Sequence, residues 1–146
     1  MRDYFIKFIG LISIPALLGA ASSIGYVKTL QGNVTITHKD KTIVPLKQGD
    51  KVFEKDLIKT ADRSTVGITF EDNTRISIGS NAEFFVDAYL FEPANKNVAF
   101  KSNLFKGSMG CVTGLISKIK PDAMEIKAKT ATIGIRGTSF VVEVKE

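Results

Sequence analysis

From Gly25 onward, apolar and polar residues alternate in short runs, and turn-forming residues cut the alternation every few positions. Successive side chains of a strand point to opposite faces, so this pattern specifies short half-buried strands rather than helices. Asn33-Val34-Thr35-Ile36-Thr37 alternates, and the turn His38-Lys39-Asp40-Lys41 leads into Thr42-Ile43-Val44. In Thr65-Val66-Gly67-Ile68-Thr69-Phe70, the inward residues are Val66, Ile68 and Phe70. Glu71-Asp72-Asn73-Thr74 then turns the chain back into Arg75-Ile76-Ser77-Ile78, a hairpin pattern. Asn73 suits that turn because asparagine tolerates the left-handed backbone region. Further on, Phe84, Val86, Ala88 and Leu90 share one face, as do Val98, Phe100 and Leu104. Residues 91–97 form the most polar connection.

The fold class that follows is all-β: short antiparallel strands in a two-sheet sandwich or jelly roll, or a short β-helix. One segment departs from the rhythm. Between Cys111 and Pro121, the residues Val112, Leu115, Ile116 and Ile119 recur at helical spacing, and the proline ends the run. This predicts one short helix near residues 111–120 lying over one end of the sheets, weakened by Gly114 inside it.

The 146 residues suit one domain, and 44% hydrophobic against 24% charged residues is enough to build a core. A formal net charge of +5 raises the question of an acidic partner. The lysines are scattered, however, and the densest group, His38-Lys39-Asp40-Lys41, is a turn with a carboxylate in its middle. A nucleic-acid surface needs a basic stripe, often with interleaved aromatics, so no nucleic-acid partner is expected.

The chain starts with two basic residues, Arg2 and Lys7, followed by an apolar run over residues 8–18 and the small residues Gly19-Ala20-Ala21-Ser22-Ser23. That layout predicts a signal peptide over residues 1–23, cleaved after Ala21 or Ser23. An uncleaved anchor is the alternative, because residues 8–27 carry no charge and reach the roughly 20 residues that span a bilayer. Either way, residues 24–146 are expected as one exported domain in the periplasm or on the cell surface. The membrane would be touched only through the N-terminal segment, if it is retained. The single cysteine, Cys111, makes no intrachain disulfide, and its small apolar neighbours predict a buried, inert thiol.

Catalytic chemistry finds little to use. His38 is the only histidine and lies in a polar turn, which leaves no histidine-based triad. Gly107-Ser108-Met109-Gly110 lacks the spacing of a nucleophile elbow. One histidine and one cysteine make no zinc cluster. Asp50, Glu54, Asp56, Glu71 and Asp72 fall where turns are expected, and carboxylates there bond to their own backbone. The chain is therefore read as non-enzymatic, with no catalytic residue, metal ligand or cofactor.

A series of turn motifs runs through the chain in fixed order. It starts with Gly32-Asn33-Val34 and Leu46-Lys47-Gln48-Gly49-Asp50-Lys51-Val52, followed by the segments at residues 56–64 and 70–76. Ile78-Gly79-Ser80-Asn81-Ala82 and Leu104-Phe105-Lys106-Gly107 come next, and Ile133-Gly134-Ile135-Arg136-Gly137-Thr138 closes it. Over residues 25–144 this order resembles the FecR domain, named for the ferric-citrate transport regulator. The resemblance implies an all-β module on the outer side of the cytoplasmic membrane. In that regulator, such a domain relays a signal from an outer-membrane transporter to a cytoplasmic sigma factor. Here only seven residues precede the apolar run. The expectation is therefore an exported module that contacts an envelope or membrane protein, not a direct sigma regulator.

Two functions remain open. One is protein–protein interaction or signal relay, for instance by strand addition at a sheet edge. Val141 is the apolar residue of the last strand on the face opposite Phe140, Val142 and Val144. The other is carbohydrate or cell-wall binding, although the sequence has no tryptophan and, beyond the leader, only Tyr26 and Tyr89 as tyrosines.

Arg136 sits between Gly134 and Gly137, and its five-donor fork suits an anion. The surroundings favour a structural reading of Gly134, Arg136, Gly137, Thr138 and Phe140. The glycines permit a bend or bulge, Thr138 bonds within the turn and Phe140 enters the core. Arg136 braces the turn by donating to carbonyls or to a carboxylate such as Asp56 or Asp72. Arg136→Ala is expected to lower stability by about 3–5 kcal/mol, as when one partner of a buried pair is removed. Denaturant unfolding checks this. A variant that unfolds like the wild type but loses a binding partner would make the motif a contact site instead.

Overall fold

The computed structural model describes residues 22–129, 131–134 and 139–145. Most of the leader expected over residues 1–23 lies outside them, as do Arg136, Gly137 and Thr138 of the closing motif. The all-β expectation holds. The described residues form twelve strands: β1 (Gly25–Gln31), β2 (Val34–Thr37), β3 (Ile43–Pro45), β4 (Lys51–Val52), β5 (Leu57–Thr60) and β6 (Thr65–Phe70), then β7 (Arg75–Ile78), β8 (Glu83–Glu92), β9 (Asn97–Val112), β10 (Met124–Ala128), β11 (Ala131–Gly134) and β12 (Ser139–Val144).

The strands follow the order β3-β2-β5-β8-β9-β7-β6-β1-β4, with β10 and β12 also on β9 and β11 on β10. The sheet is continuous, in place of the two separate layers of a sandwich, because the 16-residue β9 serves both halves. Its first part pairs with β8 and, in parallel, with β10, while its last part pairs with β7 and β12. Gly107 marks the changeover. Its φ of +84° suits glycine, and a Cβ there would lie 2.5 Å from the Ala82 side chain.

The predicted hairpins form as read. β2 pairs with β3 and β6 pairs with β7, with Val66, Ile68 and Phe70 all buried. Asn73 has the left-handed φ of 71° that the second hairpin requires. The inward faces meet around Phe70, Tyr89 and Phe100, whose ring centroids lie 4.7–5.6 Å apart. Clustering of this kind adds about 0.5–1.5 kcal/mol per pair beyond burial.

Two expectations are corrected. In β8, Phe84 and Val86 are buried, but the inward run does not continue through Ala88 to Leu90. Register slips between Val86 and Ala88, leaving Asp87 as an extra bulge residue. The alternation changes phase, so Tyr89 turns inward and Leu90 outward. The helix is also shorter than expected. β9 runs on through Cys111 and Val112, and α1 covers only Leu115–Ile119. Ile116 is buried and Ile119 packs on the core, whereas Val112 and Leu115 are exposed.

Gly114 precedes α1 because nothing larger fits. A Cβ there would sit 2.2 Å from the Asp72 carbonyl oxygen and 2.4 Å from the Thr74 nitrogen. This close approach belongs to a buried polar clasp. The Asp72 side chain is fully buried in the β6–β7 turn. Its Oδ1 accepts from the Tyr89 hydroxyl (2.9 Å) and the Thr74 amide (3.2 Å). Its Oδ2 accepts from the Thr74 hydroxyl (2.7 Å) and the Ile116 amide (3.0 Å). The Tyr89 hydroxyl oxygen in turn accepts the Asp72 amide (3.0 Å), and the Asp72 carbonyl accepts the Leu115 amide (2.8 Å). Burial, and then the neighbouring Asp72, hold the Tyr89 phenol well above its ordinary pKa, which keeps it a donor.

Asp72→Ala is expected to cost several kcal/mol, at roughly 1–3 kcal/mol for each buried donor it orphans. Tyr89→Phe, which removes one link, should cost about 1–2 kcal/mol. Urea unfolding of both variants tests the ranking. Equal losses would mean that the tyrosine link alone carries the clasp.

Candidate functional site

A groove of about 410 Å³ opens on the outer face of the β2–β5–β8 part of the sheet. Its floor is a row of side chains directed away from the core. Thr37 pairs with Leu57, and Leu57 with Phe85, across three neighbouring strands. Phe105 joins them from β9. The register runs from Glu83 opposite Lys106 to Phe84 opposite Leu104, so Phe105 is the extra residue of a bulge and points outward, 47% exposed. Its ring centroid lies 6.4 Å from that of Phe85.

The rim is basic. One side is the β2–β3 turn, closed by the Lys41 amide donating to the His38 carbonyl (2.8 Å) and the His38 amide donating to the Thr42 carbonyl (2.9 Å). The Asp40 carboxylate caps this turn by accepting the Thr42 amide at 3.0 Å. That side chain and amide hold its pKa below the ordinary value. Lys39 and Lys41 flank Asp40, and both line the groove. On the other side, Lys55 has a left-handed φ of 71°, and its amide donates to the Val86 carbonyl (2.8 Å). Its ammonium donates to Asp87 Oδ1 at 2.8 Å and lies 5.9 Å from the Phe85 ring centroid, within cation–π range. This pairing raises the Lys55 pKa and lowers that of Asp87.

Beneath the rim, His38 Nδ1 lies 2.8 Å from Asp56 Oδ1, and the Phe53 amide donates to Asp56 Oδ2 at 2.7 Å. Asp56 is fully buried, and His38 is about one-third exposed. The groove thus combines an apolar floor with three ammonium groups and an imidazole. No carboxyl or amide side chain lines it. Such a surface suits an anion that carries an apolar part.

Of the signature residues singled out from the sequence, the two described ones lie elsewhere. Gly134 ends β11 opposite Glu125, and Phe140 packs half-buried on the core opposite Cys111. Neither lines the groove. Cys111 is buried, and burial pushes its thiol up to about 12, so it stays protonated at neutral pH. Among the other turn carboxylates, Asp50 accepts the Lys47 amide and Glu54 accepts the Tyr89 amide, each at 2.9 Å. Among the described residues, no group of three His, Cys, Asp or Glu side chains could hold a metal ion. Sequence reading did not assign Lys55, Phe85 or Phe105 to a site. One available signal was the pair Phe84-Phe85, because adjacent residues of a strand cannot both face the core.

A scan of family models matches FecR protein over residues 56–146. Among solved structures, a "Cell surface anchoring domain" is similar at 30% identity, over 43% of this chain and 83% of that one. The TM-score of that match is 0.42. A search of curated proteins found no match.

The buried acid under the groove generates a pH test. Burial raises the Asp56 carboxyl above its ordinary value of 3.8, while the Phe53 amide and His38 pull the other way. The folded chain therefore keeps a proton there at pH values where the unfolded chain has lost it. The stability this group contributes is full below 3.8 and is lost as pH rises through the raised value. Asp56→Asn keeps an acceptor for the Phe53 amide and cannot ionise. Its urea midpoint, relative to wild type, should improve as pH climbs from 3.8 towards neutrality. A difference that stays constant with pH would show that burial does not perturb Asp56.

Proposed function

This chain belongs to the FecR family, and from that premise we propose that it is an exported, non-enzymatic interaction module of the bacterial envelope. It works by binding another envelope or membrane protein, as a relay or a tether, in the periplasm or at the cell surface. FecR proteins are a regulatory family, which supports binding rather than turnover as the task. The observation that carries the reading is the groove itself. Its apolar floor is open to solvent, and Phe105 is held outward by the bulge that also switches the inward phase of β9 from Leu104 to Met109. Contiguous exposed apolar surface with a polar rim is characteristic of interaction sites.

A second reading, binding of cell-wall carbohydrate, draws on the same two rings, since an exposed aromatic can stack on a sugar. The lining argues against a neutral sugar. Only Thr37 and His38 offer side-chain acceptors for its hydroxyl protons.

A photo-crosslinking residue placed at Phe105 in living cells tests the role. The expected result is an adduct with a discrete envelope protein, formed much less in a variant carrying Lys39→Glu and Lys41→Glu. Retention on purified peptidoglycan with no protein adduct would overturn the proposal in favour of the carbohydrate reading.

A further inference from the structure

The groove also indicates what kind of protein segment it takes, an inference that rests on the interaction role just proposed. Lys39 and Lys41 have no acidic partner among the described residues, although they flank a carboxylate. That carboxylate, Asp40, is engaged by the Thr42 amide. Asp87 is engaged by Lys55, and Asp56 by His38 and the Phe53 amide. These three acids are thus used internally, and the ammonium groups of Lys39 and Lys41 are left for an external anion. Lys101 and Lys127 also lie close enough to Asp87 to act on its charge, which extends the basic surface beyond the groove.

Charge alone would suit any polyanion, but the floor narrows the choice. Leu57, Phe85 and Phe105 offer no hydrogen-bonding side chains, and Phe105 is nearly half exposed at the β9 end of the row. A polyuronate would satisfy the lysines and leave these rings in water. An apolar side chain flanked by carboxylates satisfies both. The two bulges build this combination from opposite strands: the one at Phe105 supplies the floor, and the one at Asp87 holds Lys55 over it. We propose that the groove binds an acidic protein segment that lays an aromatic or large aliphatic side chain against Phe85 and Phe105, with its flanking carboxylates on Lys39 and Lys41.

The test uses the protein recovered from the envelope fraction and a fluorescein-labelled 12-residue peptide, glutamates and aspartates around a central Leu-Phe. This length is chosen to cover an interface of modest size (~10 residues). The expected result is saturable binding that weakens at least tenfold in Lys39→Glu/Lys41→Glu and in Phe105→Ser, and that weakens as salt screens the lysines. The same peptide with serines at its centre should bind at least tenfold more weakly, and oligogalacturonate should not compete. Equal binding of the serine peptide or of oligogalacturonate would overturn the proposal, as would variants that bind like wild type. Both substitutions are at exposed positions, and circular dichroism checks that they fold. The in-cell crosslink separates the two levels. A protein adduct at Phe105 without peptide binding overturns only the partner's chemistry, whereas the absence of any protein adduct overturns the interaction role itself.

Discussion

The buried carboxyl of Asp72 fastens three distant parts of the chain at one point. It lies in the β6–β7 turn, receives the Tyr89 hydroxyl from β8, and receives the amide that opens α1 after β9. Burying a polar group without partners costs several kcal/mol, so such a residue is tolerated only when its acceptors are filled. Here four donors fill them, and the backbone groups of Asp72 are satisfied as well. Several local features follow from this requirement. Asn73 takes the left-handed conformation that places Thr74 over Asp72, and Gly114 has no side chain because the turn backbone occupies the space. The brevity of α1 is also understandable. Its start is fixed by bonds to Asp72 rather than by a long amphipathic face, and Ile116 alone in it is buried.

The clasp and the groove are joined through one residue. The bulge at Asp87 adds a position to β8 and reverses which side chains face inward. Without it Tyr89 would point to solvent and could not reach Asp72. The same extra residue puts the Asp87 carboxylate at the groove rim, where it holds Lys55 above Phe85. A single backbone irregularity thus supplies the core with a hydroxyl and the surface with an oriented cation. Bulges commonly re-aim side chains next to functional sites, and this one acts on both faces of the sheet.

Much of the fold was legible from periodicity. The strand alternation, the two hairpins and the buried faces around Val66, Ile68, Phe70, Val98 and Phe100 follow from a period of two. What the pattern hid were its interruptions. A bulge leaves no reliable mark in composition, so Ala88 and Leu90 read as a continuation of Phe84 and Val86 when the phase had already changed. Helical spacing over residues 111–120 was a coincidence between the end of a strand and a single turn of helix. Asp56 and Asp72 read as ordinary turn carboxylates. That they sit in turns was visible, but their complete burial depends on which distant donors fold over them. The groove was the least legible part, because Lys39, Lys55, Phe85 and Phe105 are brought together by register across separate segments.

The ordered turn motifs and the groove overlap at Leu57 and Phe105, yet they answer different questions. Turn chemistry is set by local backbone needs, so it is legible in the sequence, and the chain matches the FecR family over residues 56–146. A scaffold does not specify a ligand; side chains on its outer face do. On this chain those side chains are presented where the ladder between β8 and β9 is irregular, and the core residues beneath them, Phe84 and Leu104, keep the regular alternation. Leu104 is fully buried and its neighbour Phe105 is about half exposed, so substitution at Phe105 can change what is bound while the packed face stays intact. The same motif, Leu104-Phe105-Lys106-Gly107, thus serves the core with Leu104 and the changeover of β9 with Gly107, and offers Phe105 to the surface.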